Sequence, residues 1–375
     1  MKFIFLISGM NSWENALPII YELSKNKKNK IIIGIETKIF YSKFLEDEFR
    51  KDFLKKNDIV FLHLGRPKTG FEYLKLLRFY FVLSFSKFDY ILETLDFDKD
   101  LKLSNFFLKL NLMFGCKRVK IFADSLSKNE LLNTQIFYDV VNIKNKRLDF
   151  SKYDLTLISN DKEVLKEIYK KIIFSEKNFN IGRIKLNKDW LEYINRFYAN
   201  KNLDNFDILI PLSATKGKFI KGHDTLPNEN KLIIFFEVLS KIKNIKVVFK
   251  PHSKSDMDYF NYLIKKYNFE YSISNFHLNY LCSKSKIVLT YHPTSAQIYA
   301  KCFNKKVLEF GQYDEKIEKI LNGEARYSES VDKRILSDKD DLKKTIEFYL
   351  NNFKLENKNV IIQDENLSNL SNIIK

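Results

Sequence analysis

Two successive series of short apolar runs, each followed by longer amphipathic stretches, predict an α/β protein of two Rossmann-like lobes, each a mainly parallel sheet flanked by helices. The first series fills residues 3–172, and the second restarts at 207 after an Asn- and Lys-rich stretch at 198–205. At 375 residues the chain is long for one core and sufficient for two of roughly 170–190 residues each. The expected division is therefore a first lobe over 1–200, a second over 206–350, and a tail or crossing helix over 351–375.

Each element rests on a local pattern. In the first lobe, compact apolar runs place strands at 3–7, 31–35, 59–64, 90–93, 119–122 and 155–159. Leu17, Ile20 and Leu23 recur at helical spacing and predict a helix over 15–24, with further helices at 71–84, 103–113 and 162–172. The second lobe repeats the alternation. Strands are expected at 207–211, 246–250, 287–290 and 307–310, with an extended piece at 271–273 and helices at 229–242, 256–267, 279–283 and 296–302.

Composition narrows the function classes. Apolar residues make up 45% of the chain and aromatics 15%, which excludes global disorder; 10 Gly and 6 Pro are too few for a collagen-like or linker-rich chain. Cys116, Cys282 and Cys302 have no paired spacing, so they read as reduced thiols of a cytosolic protein and not as a disulfide or zinc framework. Residues 1–10 are apolar but run into Asn11-Ser12-Trp13-Glu14 with no small-residue cleavage site, so they read as a first strand. The apolar run at 79–85 falls far short of the roughly 20 residues of a membrane span. A soluble, cytoplasmic protein is expected. The net charge of +17 comes from lysines scattered along the whole chain, with no arginine-rich stripe and no helix-turn-helix or RNA-binding signature, so nucleic acid is not the expected partner. Such a surface suits polyanionic substrates or peripheral contact with the anionic inner face of the cell membrane.

The residues that can carry chemistry follow predicted strands, where α/β sheets place ligands. Val247-Val248-Phe249-Lys250-Pro251-His252-Ser253 ends a strand in a proline and presents His252, an imidazole able to donate to a phosphate oxygen, with Lys250 adding charge. The competing reading is a loop histidine capping the next helix. Some forty residues later, Leu289-Thr290-Tyr291-His292-Pro293-Thr294-Ser295-Ala296 ends a second strand and opens a helix. Thr294 and Ser295 offer two hydroxyls beside the positive end of a helix, a seat for phosphate, or else simply an N-cap; His292 reaches the donor or orients the turn.

Lys-Pro-His followed by a hydroxyl-rich helix start resembles the second lobe of GT-B glycosyltransferases of surface polysaccharide synthesis, the sialyltransferase-like members above all. Those enzymes carry a His-Pro motif and a later Ser-Ser/Thr motif that recognise the CMP part of the donor. The resemblance puts His252 at the motif histidine, with Ser253 in place of the proline, and Thr294 and Ser295 at the hydroxyl pair. It is best over 206–311. Residues 297–308 are also similar to a segment of UDP-N-acetylglucosamine 2-epimerases, but Ile298 and Tyr299 stand where acidic residues grip a UDP ribose, which favours CMP. The same comparison expects an Asp/Glu-Asp-Gly base after a first-lobe strand; here Ala123-Asp124-Ser125 follows the strand at 119–122, making Asp124 the candidate base on an acceptor hydroxyl. The competing role for Asp124 is a helix cap.

Two further turns complete the candidates. Ser8-Gly9-Met10-Asn11-Ser12 follows the first strand, where Gly9 permits close backbone approach and Asn11 or Ser12 caps a helix or contacts ligand; without a full Gly-x-Gly-x-x-Gly pattern it supports no dinucleotide cofactor. Ser213-Ala214-Thr215-Lys216-Gly217 follows the first strand of the second half, with Ser213 and Lys216 as phosphate contacts. No His-x-x-x-His, Asp-x-Asp or carboxylate cluster has metal-ligand spacing, so no metal and no cofactor are expected. The resemblance implies a metal-independent transferase moving a sugar from a CMP-sialic acid-like or CMP-Kdo-like donor to a glycan or glycolipid acceptor, such as capsule or lipooligosaccharide. The alternatives are a UDP-sugar transferase or UDP-N-acetylglucosamine 2-epimerase-like enzyme and, from another class, a non-catalytic polyanion-binding protein.

Overall fold

In β1 (Lys2–Ile7) the run Phe3-Ile4-Phe5-Leu6-Ile7 is at most 2% exposed, as a strand between two helical layers requires. It lies inside a sheet, with a strand on either side, in a computed structural model that describes residues 1–7, 10–35, 41, 44–63, 74, 77, 87–94, 110–122, 126–140, 148–201, 203–213, 226–252, 255–336, 338–353 and 367–374. The chain divides into two units. One comprises Met1–Ser125, Arg147–Trp190 and Gln363–Lys375; the other Leu126–Lys146 and Leu191–Ile362.

The first unit continues with β2 (Lys30–Ile35), β3 (Val60–His63), β4 (Tyr90–Glu93), β5 (Lys117–Phe122), β6 (Leu148–Asp149), β7 (Leu155–Ile158), β8 (Ile172–Ile173) and β9 (Lys177–Asn180). Seven strands form one parallel sheet in the order β3-β2-β1-β4-β5-β7-β9, while β6 and β8 pair as a separate parallel ribbon. The first helix runs Met10–Ser24, so the turn expected through Glu14 is already helical and neither Asn11 nor Ser12 is its cap. The reason is packing: Trp13, Ala16, Leu17 and Ile20 recur at helical spacing, all at 0% exposure, and Trp13 stands edge-on to Phe44 at 4.2 Å. The helix expected over 162–172 stops at Ile168, and the chain turns back into β8 and then β9. Most of the helices expected at 71–84 and 103–113 lie outside the described residues. The final turns, Leu367–Asn369 and Leu370–Ile373, belong to this unit; Leu367 and Leu370 are fully buried and the Tyr90 hydroxyl donates to the Ile374 carbonyl.

The second unit holds β10 (Phe206–Pro211), β11 (Val247–Lys250), β12 (Tyr271–Ile273), β13 (Ser285–Thr290), β14 (Lys306–Phe310) and β15 (Lys333–Ile335), all parallel, in the order β12-β11-β10-β13-β14-β15. Successive strands step outward in one direction from β10, then restart on its other side at β13. Its core gathers Ile208, Ile210, Phe235, Phe236, Phe249 and Leu289 with their neighbours; each such side chain taken from water contributes roughly 1.5–3 kcal/mol. The helix Lys128–Val140 belongs here too. Ser127 and Glu130 form its capping box, with Ser127 N–H donating to Glu130 Oε2 at 3.0 Å and Glu130 N–H to Ser127 Oγ at 3.2 Å. Its Phe137 packs against Tyr313, Ile317 and Leu321. Among the described residues no helix is long and apolar enough to cross a membrane.

Candidate functional site

A ligand of an open α/β sheet binds beyond the carboxyl ends of the strands, where the strand order reverses. In the second unit that point lies between β10 and β13. Neighbouring strands are about 4.8 Å apart, so the ends of β11 and β13, on either side of β10, are about 10 Å apart. Lys250 ends β11 and His252 follows it, Ser213 follows β10, and His292, Thr294 and Ser295 follow β13. Six residues singled out in the sequence thus stand at or just past the ends of three adjacent strands.

Hydrogen bonds tie the three loops together. The Ser213 N–H donates to the Tyr291 hydroxyl at 2.6 Å. The Ser255 hydroxyl donates to the Ser213 carbonyl at 2.9 Å and accepts from the His252 N–H at 3.0 Å. Tyr291 has no exposed surface and packs edge-on to Phe235 at 5.9 Å and His292 at 4.8 Å. Burial pushes its phenol upward, while the Ser213 N–H pulls the other way, so the ring stays protonated at neutral pH.

His252 is exposed at the mouth of this network. The cap of the next helix, Met257–Ile264, is Asp256, which accepts from the Tyr259 N–H, so capping is not the task of His252. Lys250 directs its ammonium to the Asn275 carbonyl at 3.1 Å, tying the end of β11 to the chain after β12. Thr294 is the N-cap of the helix Ser295–Cys302: its hydroxyl accepts from the Ala296 N–H at 3.5 Å, and its own N–H donates to Gln297 Oε1 at 3.2 Å. This capping box aims the positive end of that helix at the reversal point, with Ser295 as its first helical residue, the geometry that holds phosphate oxygens.

Beneath it lies a polar network that sequence reasoning passed over. Gln297 Nε2 donates to Thr290 Oγ1 at 2.8 Å and to Glu309 Oε2 at 2.6 Å, and the Tyr313 hydroxyl donates to Glu309 Oε1. Glu309 is 1% exposed. Arg334 stacks 3.9 Å from the Tyr313 ring centre, pairs with Glu318, and donates to the Gly311 carbonyl at 3.2 Å. Lys231, fully buried in the first turn of the helix Asn228–Leu239, donates to the Tyr291 carbonyl at 3.0 Å. A signal for Lys231 did exist: it shares the helical face of Phe235 and Leu239, so periodicity already places this lysine on the buried side.

Gly9, Asp124 and Lys216 lie outside the described residues, as does the side chain of Asn11, whose backbone is helical in Met10–Ser24. His277 is the N-cap of the helix Leu278–Lys284, its Nδ1 accepting from the Asn279 N–H at 3.3 Å. Among the described residues, no three His, Cys, Asp or Glu side chains converge as a metal site requires. A cavity of about 750 Å³ lies in the first unit at the amino ends of β4, β5, β7 and β9, lined among others by Tyr90, Lys117, Lys152, Asp154 and Lys177. It sits on the opposite edge from the strand ends that serve α/β ligand sites, and its walls mix both signs of charge.

No family model matches the chain, and no curated protein matches it. Solved structures do. The UDP-GlcNAc 2-epimerase from Neisseria meningitidis, bound to UDP-GlcNAc, superposes with a TM-score of 0.56 over 100% of this chain and 99% of its own, at 15% identity. The chain has the GT-B fold. S. aureus MnaA with UDP matches at a TM-score of 0.53 and 15% identity, covering 100% of this chain and 94% of that one. TcCGT1 in complex with UDP matches at 0.52 and 9%, covering 100% and 98%.

Proposed function

We propose that this chain is a UDP-sugar enzyme that seats its nucleotide on the carboxyl ends of β10, β11 and β13. The observation that carries the reading is the hydrogen-bonded joining of three strand-end loops at the reversal point, with an exposed imidazole on one and a capped helix start on another. His252 donates to a phosphate oxygen, and the helix start at Thr294 and Ser295 offers the Ser295 N–H, two hydroxyls and the positive end of the helix to the diphosphate. Support for UDP comes from neighbours of the same fold whose complexes hold UDP-GlcNAc or UDP. On that ground UDP replaces the CMP expected from the sialyltransferase-like resemblance.

The reaction we assign is transfer. The bond from the sugar C1 to the phosphate oxygen breaks, UDP leaves with the electron pair, and an acceptor hydroxyl of a glycan bonds C1. Its proton passes to a carboxylate, for which Asp124, two residues past β5 in sequence, is the candidate. The similarity to the Neisseria enzyme favours a second reading, epimerisation at C2 of UDP-GlcNAc with no acceptor.

Thermal-shift titration with UDP and CMP, followed by incubation with UDP-GlcNAc and product analysis, separates these readings. Stabilisation by UDP over CMP, lost in His252→Ala, supports the site. Release of UDP with a new glycoside, abolished in Asp124→Asn, marks a transferase; a 2-epimer without free UDP marks an epimerase. Preferential stabilisation by CMP restores the CMP donor. Salt-steep binding of polyanions with no nucleotide-specific stabilisation removes the enzyme altogether.

A further inference from the structure

Lys231 is 0% exposed, and among the described residues no other lysine is buried so completely; Lys120 retains 6%. Its position runs against two ordinary preferences. A cation in the first turn of a helix adds to the positive end of the dipole, where acidic side chains are favoured. A buried ammonium also loses its hydration. The surrounding fold nevertheless makes room for it. Gly311, the first residue after β14, has φ +148°, and a Cβ there would stand 3.1 Å from Lys231 Nζ and 3.3 Å from its Cε. That glycine is held on both sides, its N–H donating to the Ile335 carbonyl at 2.9 Å and its carbonyl accepting from Arg334 Nε and Nη2 at 3.3 and 3.2 Å. The ammonium donates to the carbonyl of Tyr291, the first residue after β13, and the hydroxyl of the same tyrosine accepts from Ser213 after β10. Helix start, ammonium and both strand ends therefore meet at the reversal point of the sheet.

We infer that Lys231 is a positioning residue of the nucleotide site, fixing the β13 end through the Tyr291 carbonyl and setting positive potential beneath the phosphates of a nucleoside diphosphate, and that Gly311, which its φ of +148° already favours as glycine, leaves the space the ammonium fills. This rests on the nucleotide site proposed above and adds a group that acts on the phosphates without touching them. A buried charge beside a phosphate seat is screened little by solvent, so it discriminates between charged and uncharged ligands of the same base.

The test compares UDP with uridine on the full chain by ligand-observed NMR, in wild type and in Lys231→Met, Lys231→Gln and Gly311→Ala. Lys231→Gln retains an N–H donor without the charge; Gly311→Ala retains the charge and crowds it. Both Lys231 variants are expected to lower the UDP-to-uridine affinity ratio by about tenfold, with uridine affinity changed less than about threefold. Gly311→Ala shifts the ratio in the same direction. A purely structural lysine weakens both ligands alike, so an unchanged ratio overturns the inference, as does a wild-type ratio in Lys231→Gln. If Lys231→Met does not fold, Lys231→Gln carries the decision. A wild-type chain that binds neither ligand removes the nucleotide site itself, and this inference with it; wild-type binding with unaltered ratios removes the inference alone.

Discussion

The hydroxyl of Tyr291 offers the sharpest perturbation, because its oxygen accepts the Ser213 N–H at 2.6 Å while the ring packs against Phe235 and His292. Tyr291→Phe keeps the ring and its packing and deletes that acceptor. A buried donor left without a partner costs about 1–3 kcal/mol. Ser213 is half-buried, so water reaches part of the loop, and the lower half of that range, about 1–2 kcal/mol, applies. With a urea m-value of about 2 kcal/mol/M, the unfolding midpoint falls by roughly 0.5–1 M. Trp13 and Trp190 both lie in the first unit, so tryptophan fluorescence does not report this change directly, and far-UV circular dichroism is the appropriate signal. Hydrogen exchange then locates the loss: the Ser213 amide exchanges about 5–30 times faster, the factor corresponding to 1–2 kcal/mol. The UDP stabilisation proposed above falls with it, since the β10 and β13 loops are no longer fastened to each other. An unchanged midpoint together with unchanged protection at Ser213 refutes the argument that this phenol joins the loops.

Two further outcomes follow from buried groups elsewhere. Arg334→Met strips the partner from Glu318 and the donor from the Gly311 carbonyl; removing one member of this partly buried pair costs about 1.5–3 kcal/mol, measured through the fall in the urea midpoint, while Lys343→Met, on an exposed helical pair, costs less than about 0.5 kcal/mol. The Cys116 thiol is pushed up to about 12, first by burial and then by Asp89 and Asp154. Below the ordinary thiol range folded and unfolded chains bind this proton equally. Between about pH 9 and 12 only the unfolded chain loses it, so stability declines as pH rises through that window, and Cys116→Ala flattens the decline in urea titrations at stepped pH.

Much of the architecture was legible because buried parallel strands are continuous apolar runs. Residues 3–7, 207–211, 287–290 and 307–310 fall within β1, β10, β13 and β14. Lys177–Asn180 reads Lys-Asn-Phe-Asn, with one apolar residue; it becomes β9 by pairing its backbone with β7, which no side-chain pattern announces. Past residue 310 the helices Glu315–Leu321 and Lys339–Asn351 were not read, since their buried residues are few among many charges. At the site, the hydroxyl-rich start of the helix Ser295–Cys302 was visible as a cap signature, and the Lys-Pro-His ending marked β11. The partners that hold these loops were not visible. Tyr291, Ser255, Glu309 and Lys231 act through contacts separated by up to 78 residues, which emerge only when the sheet assembles.

Residues 126–146 belong to the second unit although sequence of the first flanks them, and residues 363–375 belong to the first although they follow the second. The polypeptide therefore passes from one unit to the other four times. No single cut yields two complete halves: a break near residue 200 leaves one fragment without its Lys128–Val140 helix and the other without its closing turns. Shuffling the second unit between genes must carry two stretches at once, so recombination at a lone breakpoint gives chimaeras with unmatched apolar faces. Inheritance should keep such a chain whole.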